Sequence, residues 1–143
     1  MLQTIEQELA LRGYGFFQTV GDSMEPLLHN RKSTVVLESP KSPLKKYDVA
    51  LYRRPRGEYV LHRIVKVSKA AYIICGDNRT RREKVPKEWV IGVMTGYYED
   101  EKNDYVSCAD ERYQKYLKTL KWRYWNLRLR KLVRKVRRKL DLR

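Results

Sequence analysis

The chain lacks any long hydrophobic run: nowhere in its 143 residues do the ~18–20 consecutive apolar residues of a membrane span occur. A secretory leader is not expected either, because residues 1–12 hold two glutamates and no apolar run. Cysteine and histidine are scarce, two of each. Cys75 and Cys108 make neither a disulfide framework nor a zinc site, so no structural metal is expected. Acid is nearly missing from the end of the chain. Residues 112–143 hold 14 Lys and Arg against Asp141 alone, a charge of +13 out of the total of +15. An average-looking domain therefore carries a strongly basic appendage. About 100 residues can bury a core without disulfides or metals.

What is present reads mostly as β. Residues 1–12 form a short helix with Leu2, Ile5 and Leu9 on one face and Gly13 placed to end it. Gly15–Val20 is extended. The segments Ser33–Glu38, Asp48–Arg53, Glu58–Val67, Ala71–Cys75 and Trp89–Tyr97 are rich in Val, Ile, Leu and Tyr and are separated by Gly, Pro, Asn and Asp. Such spacing predicts a mainly β domain over residues 1–98, a small antiparallel sheet, closed or strongly coiled. Residues 99–111 begin with an acidic stretch and read as a linker. The tail, 112–143, has helical periodicity with two apolar stripes. Tyr113, Tyr116, Leu117, Leu120, Tyr124 and Leu127 form one; Trp122, Trp125, Leu129, Leu132, Val136 and Leu140 form the other, roughly 140° around. One straight helix facing two environments, or a break near Lys121–Trp125, would explain them equally well.

The segment Gly21-Asp22-Ser23-Met24-Glu25-Pro26 puts a serine on a tight turn after an extended run. Serine is a weak nucleophile that needs a neighbouring base. His29 lies in a polar stretch and reads as an exposed loop residue. His62 lies mid-strand, sharing a face with Val60 and Ile64, while Tyr59, Leu61, Arg63 and Val65 share the other. Taken alone, His62 is a core histidine on an apolar face. Arg63 reads as a surface or packing residue, and Cys75 as a buried strand residue without the cationic neighbour that activates a thiol.

The ordered set GDSMEP, DVALY, YVLHRIV and CGDNR resembles the type I signal peptidase family, in particular its Ser-His branch. The resemblance spans roughly Phe17 to Tyr97, and the combination is far more specific than any one box. It implies a signal-peptidase-type fold and a serine endopeptidase acting on an extended leader or signal-type peptide, with small residues before the cut and with no cofactor or metal. Ser23 then matches the nucleophile and His62 the general base. In that branch the acid that orients the histidine follows the Gly-Asp-Asn box by a few residues. Glu83 falls on that position, and Asp77 is the second candidate. Gly21, Met24 and Pro26 are the candidates for the substrate side. Gly21 stands where many relatives carry a hydroxyl that helps form the oxyanion hole, so the Ser23 backbone N–H or another donor takes a larger share. The family's two Gly-Asp turns are replaced here, near Arg31-Lys32-Ser33 and at Tyr47-Asp48, and its N-terminal membrane anchor is not seen. Self-cleaving repressors share a related protease fold, but their helix-turn-helix and Ser-Lys pair have no counterpart here.

For the basic tail the order of expectation is an anionic membrane surface, then a helix docked on its own domain, then nucleic acid. The expected location is cytoplasmic and peripheral to the membrane. The rival from another class is a non-enzymatic basic adaptor on a protease-like fold.

Overall fold

The structure is a computed structural model that describes residues 4–99 and 104–141. Helix α1 (Ile5–Arg12) starts at a capping box. Thr4 Oγ1 accepts from the Gln7 N–H at 3.3 Å and Gln7 Oε1 accepts from the Thr4 N–H at 2.9 Å. It ends at Gly13 in the left-handed conformation, φ 79°. Leu9 is buried and Ile5 packs against the same core; Leu2 lies outside the described residues.

Eight strands follow: β1 (Tyr14–Gln18), β2 (Thr34–Glu38), β3 (Val49–Arg53), β4 (Tyr59–Val67), β5 (Ala71–Cys75), β6 (Glu83–Pro86), β7 (Val90–Glu99) and β8 (Asp104–Ser107). They form one antiparallel sheet in the order β1-β2-β7-β3-β4-β5-β6, with β8 alongside the far end of β7. Strands β1 and β6 do not pair, so the sheet is open, contrary to the closed alternative. Strand β3 sits at its centre and is buried on both faces. Val49 and Leu51 enter one core with Leu37, Leu61, Met94 and Tyr97. Ala50 and Tyr52 enter a second with Ile64, Ile74 and Val85. The period-2 alternation of a strand thus feeds two hydrophobic layers.

Two strands escaped the sequence pattern. Strand β6 reads Glu-Lys-Val-Pro, and its charges and proline suit only a short edge. Strand β8 lies within 99–111, so that segment is not simply a linker. Val106 anchors β8 in the first core. Residues 100–103 of the expected linker lie outside the described residues.

Helix α2 (Glu111–Asp141) is a single helix, so no break occurs at Lys121–Trp125. Tyr113 and Leu120 of its first stripe are buried, and Tyr116, Leu117, Tyr124 and Leu127 are half-buried. The first turns of α2 therefore complete the domain, and a boundary at residue 98 would cut through β7. From Arg128 to Asp141 every residue is exposed. Among the described residues no helix is long and apolar enough to cross a membrane.

Candidate active site

The loop from Thr19 to Ser33 carries Ser23. Its two ends are drawn together where the Arg31 N–H donates to Thr19 O at 2.7 Å and Thr19 Oγ1 donates to His29 O at 3.0 Å. Met24, Leu27 and Leu28 pin the loop to the core. Gly21 has φ 93°, a left-handed turn conformation that a hydroxyl-bearing L residue would hold only under strain. The Gly21 N–H is already engaged, donating to Asn30 Oδ1 at 2.7 Å. Among the described residues the Ser23 N–H makes no hydrogen bond.

Strand β4 brings His62 to this turn. His62 Nε2 lies 3.0 Å from Ser23 Oγ, across 39 residues of sequence. The turn at Gly76–Asn78, after β5, closes over the pair. The Asn78 N–H donates to Ser23 O at 2.9 Å and Asn78 Nδ2 donates to Asp22 O at 3.2 Å. A Cβ on Gly76 would fall 2.7 Å from Ser23 O and 3.3 Å from His62 Nε2, so only glycine permits this approach. Burial lowers the His62 pKa to about 4; Glu83 nearby opposes that shift, while Arg54 and Arg79 add to it. The imidazole is therefore neutral at pH 7, with a lone pair free to accept a proton.

Neither acid hydrogen-bonds His62, whose one hydrogen bond among the described residues is with Ser23. Glu83 lines the same cleft, but its carboxylate is held by others. Arg54 donates to it at 2.9 and 3.1 Å, and Tyr52 Oη donates at 2.5 Å. Those hydrogen bonds, Arg54's first, hold its pKa below the ordinary value against the opposing effect of burial. Asp77 is fully buried on the other face of the sheet and grips Arg63, itself fully buried, in a two-pronged pair at 2.7 and 2.8 Å. Tyr116 Oη donates to Asp77 at 2.8 Å and Tyr124 Oη at 3.4 Å. Arg63 also donates to Tyr113 Oη and to Tyr47 O, each at 2.8 Å. Asp77 is thus corrected from orienting acid to the anchor that ties α2 to the sheet. Of the two readings of Arg63, surface or packing, the packing one holds: it is fully buried at the centre of that anchor.

The substrate-side candidates divide. Met24 is buried, and its Sδ accepts from the Asp77 N–H at 3.5 Å, so it supports the turn from beneath and does not line an open cleft. Gly21 and Pro26 are exposed beside Ser23. His29 is exposed and its Nε2 lies 3.1 Å from Pro26 O, apart from the Ser23–His62 pair. Cys75 is buried, its Sγ donates to Gly76 O and Arg79 O, and burial raises its pKa.

The cations that follow the Gly76–Asn78 turn belong to no motif, and the sequence assigns them no role. Arg79, Arg81, Arg82 and Lys84 line a cleft of about 650 Å³ together with His62. Their density within six residues was the available signal. The tyrosines of α2 are likewise not evident from the sequence as partners for Arg63. There the clue was an arginine in an apolar strand, which must find acceptors when buried. Compared with known protein families and with curated proteins, the chain has no significant match.

Proposed function

We propose that the chain is a serine endopeptidase of signal-peptidase type, with Ser23 as nucleophile and His62 as general base. The 3.0 Å approach of Ser23 Oγ to His62 Nε2 carries the proposal. Ser23 Oγ attacks a peptide carbonyl while His62 Nε2 takes its proton. His62 then gives that proton to the leaving amine, and water releases the acyl group by the same route in reverse. The free Ser23 N–H supplies a donor for the oxyanion. The two residues act as a dyad, with Glu83 contributing charge across the cleft. A fluorophosphonate probe tests this: it labels the wild-type chain, and Ser23→Ala abolishes labelling while leaving the circular dichroism spectrum unchanged. Equal labelling of both would leave the basic adaptor.

We also propose that α2 binds an anionic membrane surface. Trp122, Trp125, Leu129, Leu132, Val136 and Leu140 are exposed on the stripe facing away from the docked one. From Leu129 to Asp141, Val133 adds to the exposed apolar residues and Lys and Arg make up the rest except Asp141. Inserting that stripe leaves the domain in water above the lipid. Vesicles containing phosphatidylserine should shift tryptophan emission to the blue at low salt and release the protein as salt rises. Neutral vesicles should bind much less. No shift on anionic vesicles, with sequence-indifferent DNA binding instead, would reject the membrane in favour of nucleic acid.

A further inference from the structure

The cleft beside His62 is far more basic than its surroundings require. Arg54 is neutralised by Glu83 and Glu58, and Arg79 pairs with Asp22 at 2.5 Å. Arg81, Arg82 and Lys84 are exposed, and among the described residues they form no salt bridge. The single carboxylate lining the cleft, Glu83, is already occupied by Arg54 and Tyr52. Three unpaired cations therefore face a concave space that also exposes the base. A concave wall of one sign focuses the potential and raises the local concentration of the opposite charge. The placement is set by the fold. The Gly76–Asn78 turn is fixed against Ser23, and β6 is fixed by pairing with β5, so residues 79–84 bridge the two along one wall of the cleft.

We infer that this cleft selects peptides with acidic side chains close to the scissile bond, through Arg81, Arg82 and Lys84. The inference rests on the peptidase proposal and gives it a substrate class. His62 both lines the cleft and must reach the leaving amine, so the cations lie on the side of Ser23 from which His62 approaches the scissile bond. Arginine also offers a planar fork that matches a carboxylate, so Asp and Glu are favoured over a diffuse negative charge.

Binding and cleavage are measured separately, so that the two proposals can fail independently. Fluorescein-labelled peptides with an alanine-rich centre are flanked by Asp and Glu, or by the isosteric Asn and Gln. Their binding to the full-length Ser23→Ala chain is followed by anisotropy, and their cleavage by the wild type through kcat/KM. The acidic peptide should bind about tenfold tighter and be cleaved about tenfold more efficiently, with the ratio shrinking as salt rises. In an R81Q/R82Q/K84Q variant the ratio should collapse towards one. Cleavage of both peptides without preference overturns the inference and leaves the peptidase intact. Preferential binding without cleavage or Ser23 labelling keeps the acid-selective cleft and sinks the peptidase. An oligonucleotide that outcompetes the acidic peptide, with its own binding lost in the triple variant, overturns the inference in favour of a phosphate ligand.

Discussion

His62 and Arg63 are consecutive residues on one strand, yet they belong to two different kinds of site. His62 faces a solvent-open cleft, touches Ser23 and is kept neutral by burial. Arg63 faces the opposite way, is fully buried and stays charged because its pair with Asp77 outweighs the burial that opposes its charge. The polar groups of the first corner keep unused capacity: a histidine ring with one hydrogen bond, a serine backbone N–H with none, and three cations without salt-bridge partners among the described residues. In the second corner Arg63 and Asp77 answer each other and draw in Tyr47, Tyr113, Tyr116 and Tyr124. Unspent hydrogen-bonding and charge capacity separates a site built for a ligand from one built for architecture.

The sharpest way to break that comparison is to remove the anion of the buried corner. Asp77→Asn leaves the Arg63 guanidinium buried without a counter-charge, which should cost about 3–5 kcal/mol of stability. Ser23→Ala, on the other face, removes one hydrogen bond and should cost about 1 kcal/mol. Urea unfolding of the two variants measures both. Whatever Asp77→Asn protein remains folded should still label with the serine probe. A variant of normal stability that fails to label would return Asp77 to the catalytic machinery.

The two corners also differ in how far the sequence reveals them. Ser23 was legible as a serine on a tight turn, whereas His62, a core histidine when taken alone, was singled out through the resemblance of the ordered boxes to a known family. Strands β2, β3, β4, β5 and β7 were legible through runs of Val, Ile, Leu and Tyr, and β1 as an extended stretch. The role of Asp77 was not, since a Gly-Asp-Asn turn beside a serine suggests chemistry. What decides its fate is the arrival of α2 from more than 30 residues away, which sequence spacing does not encode. Strands β6 and β8 were missed because four residues at a sheet edge carry too little apolar pattern; pairing with β5 and β7 holds them. Glu83 matches the expected position, but its partners Tyr52 and Arg54 come from β3 and the residue that follows it.

A smaller effect sharpens the contrast through pH. An ordinary histidine would lose half its basic form near 6.5, whereas His62 should keep it down to about pH 4. The acid limb of kcat/KM, which reports the base of the free enzyme, should therefore lie well below 6.5. Two neighbours should move it in opposite directions. Glu83 favours the charged imidazole, so Glu83→Gln should push the limb to still lower pH. Arg79 disfavours it, so Arg79→Gln should bring the limb up towards neutrality. Stability carries the same signature. Between 6.5 and about 4 the unfolded chain binds a proton at residue 62 that the folded chain refuses. The stability this histidine contributes is present above 6.5 and drains away as pH falls to about 4, where the curve levels off. His62→Gln should erase that part of the slope, measured as the change in urea midpoint between pH 7 and pH 4.5. Arg63 stays charged throughout this window, so it adds no slope from its own titration. A limb at 6.5 that neither Glu83→Gln nor Arg79→Gln moves would mean that His62 is solvated like a surface histidine, and the distinction between the two faces of β4 would fall.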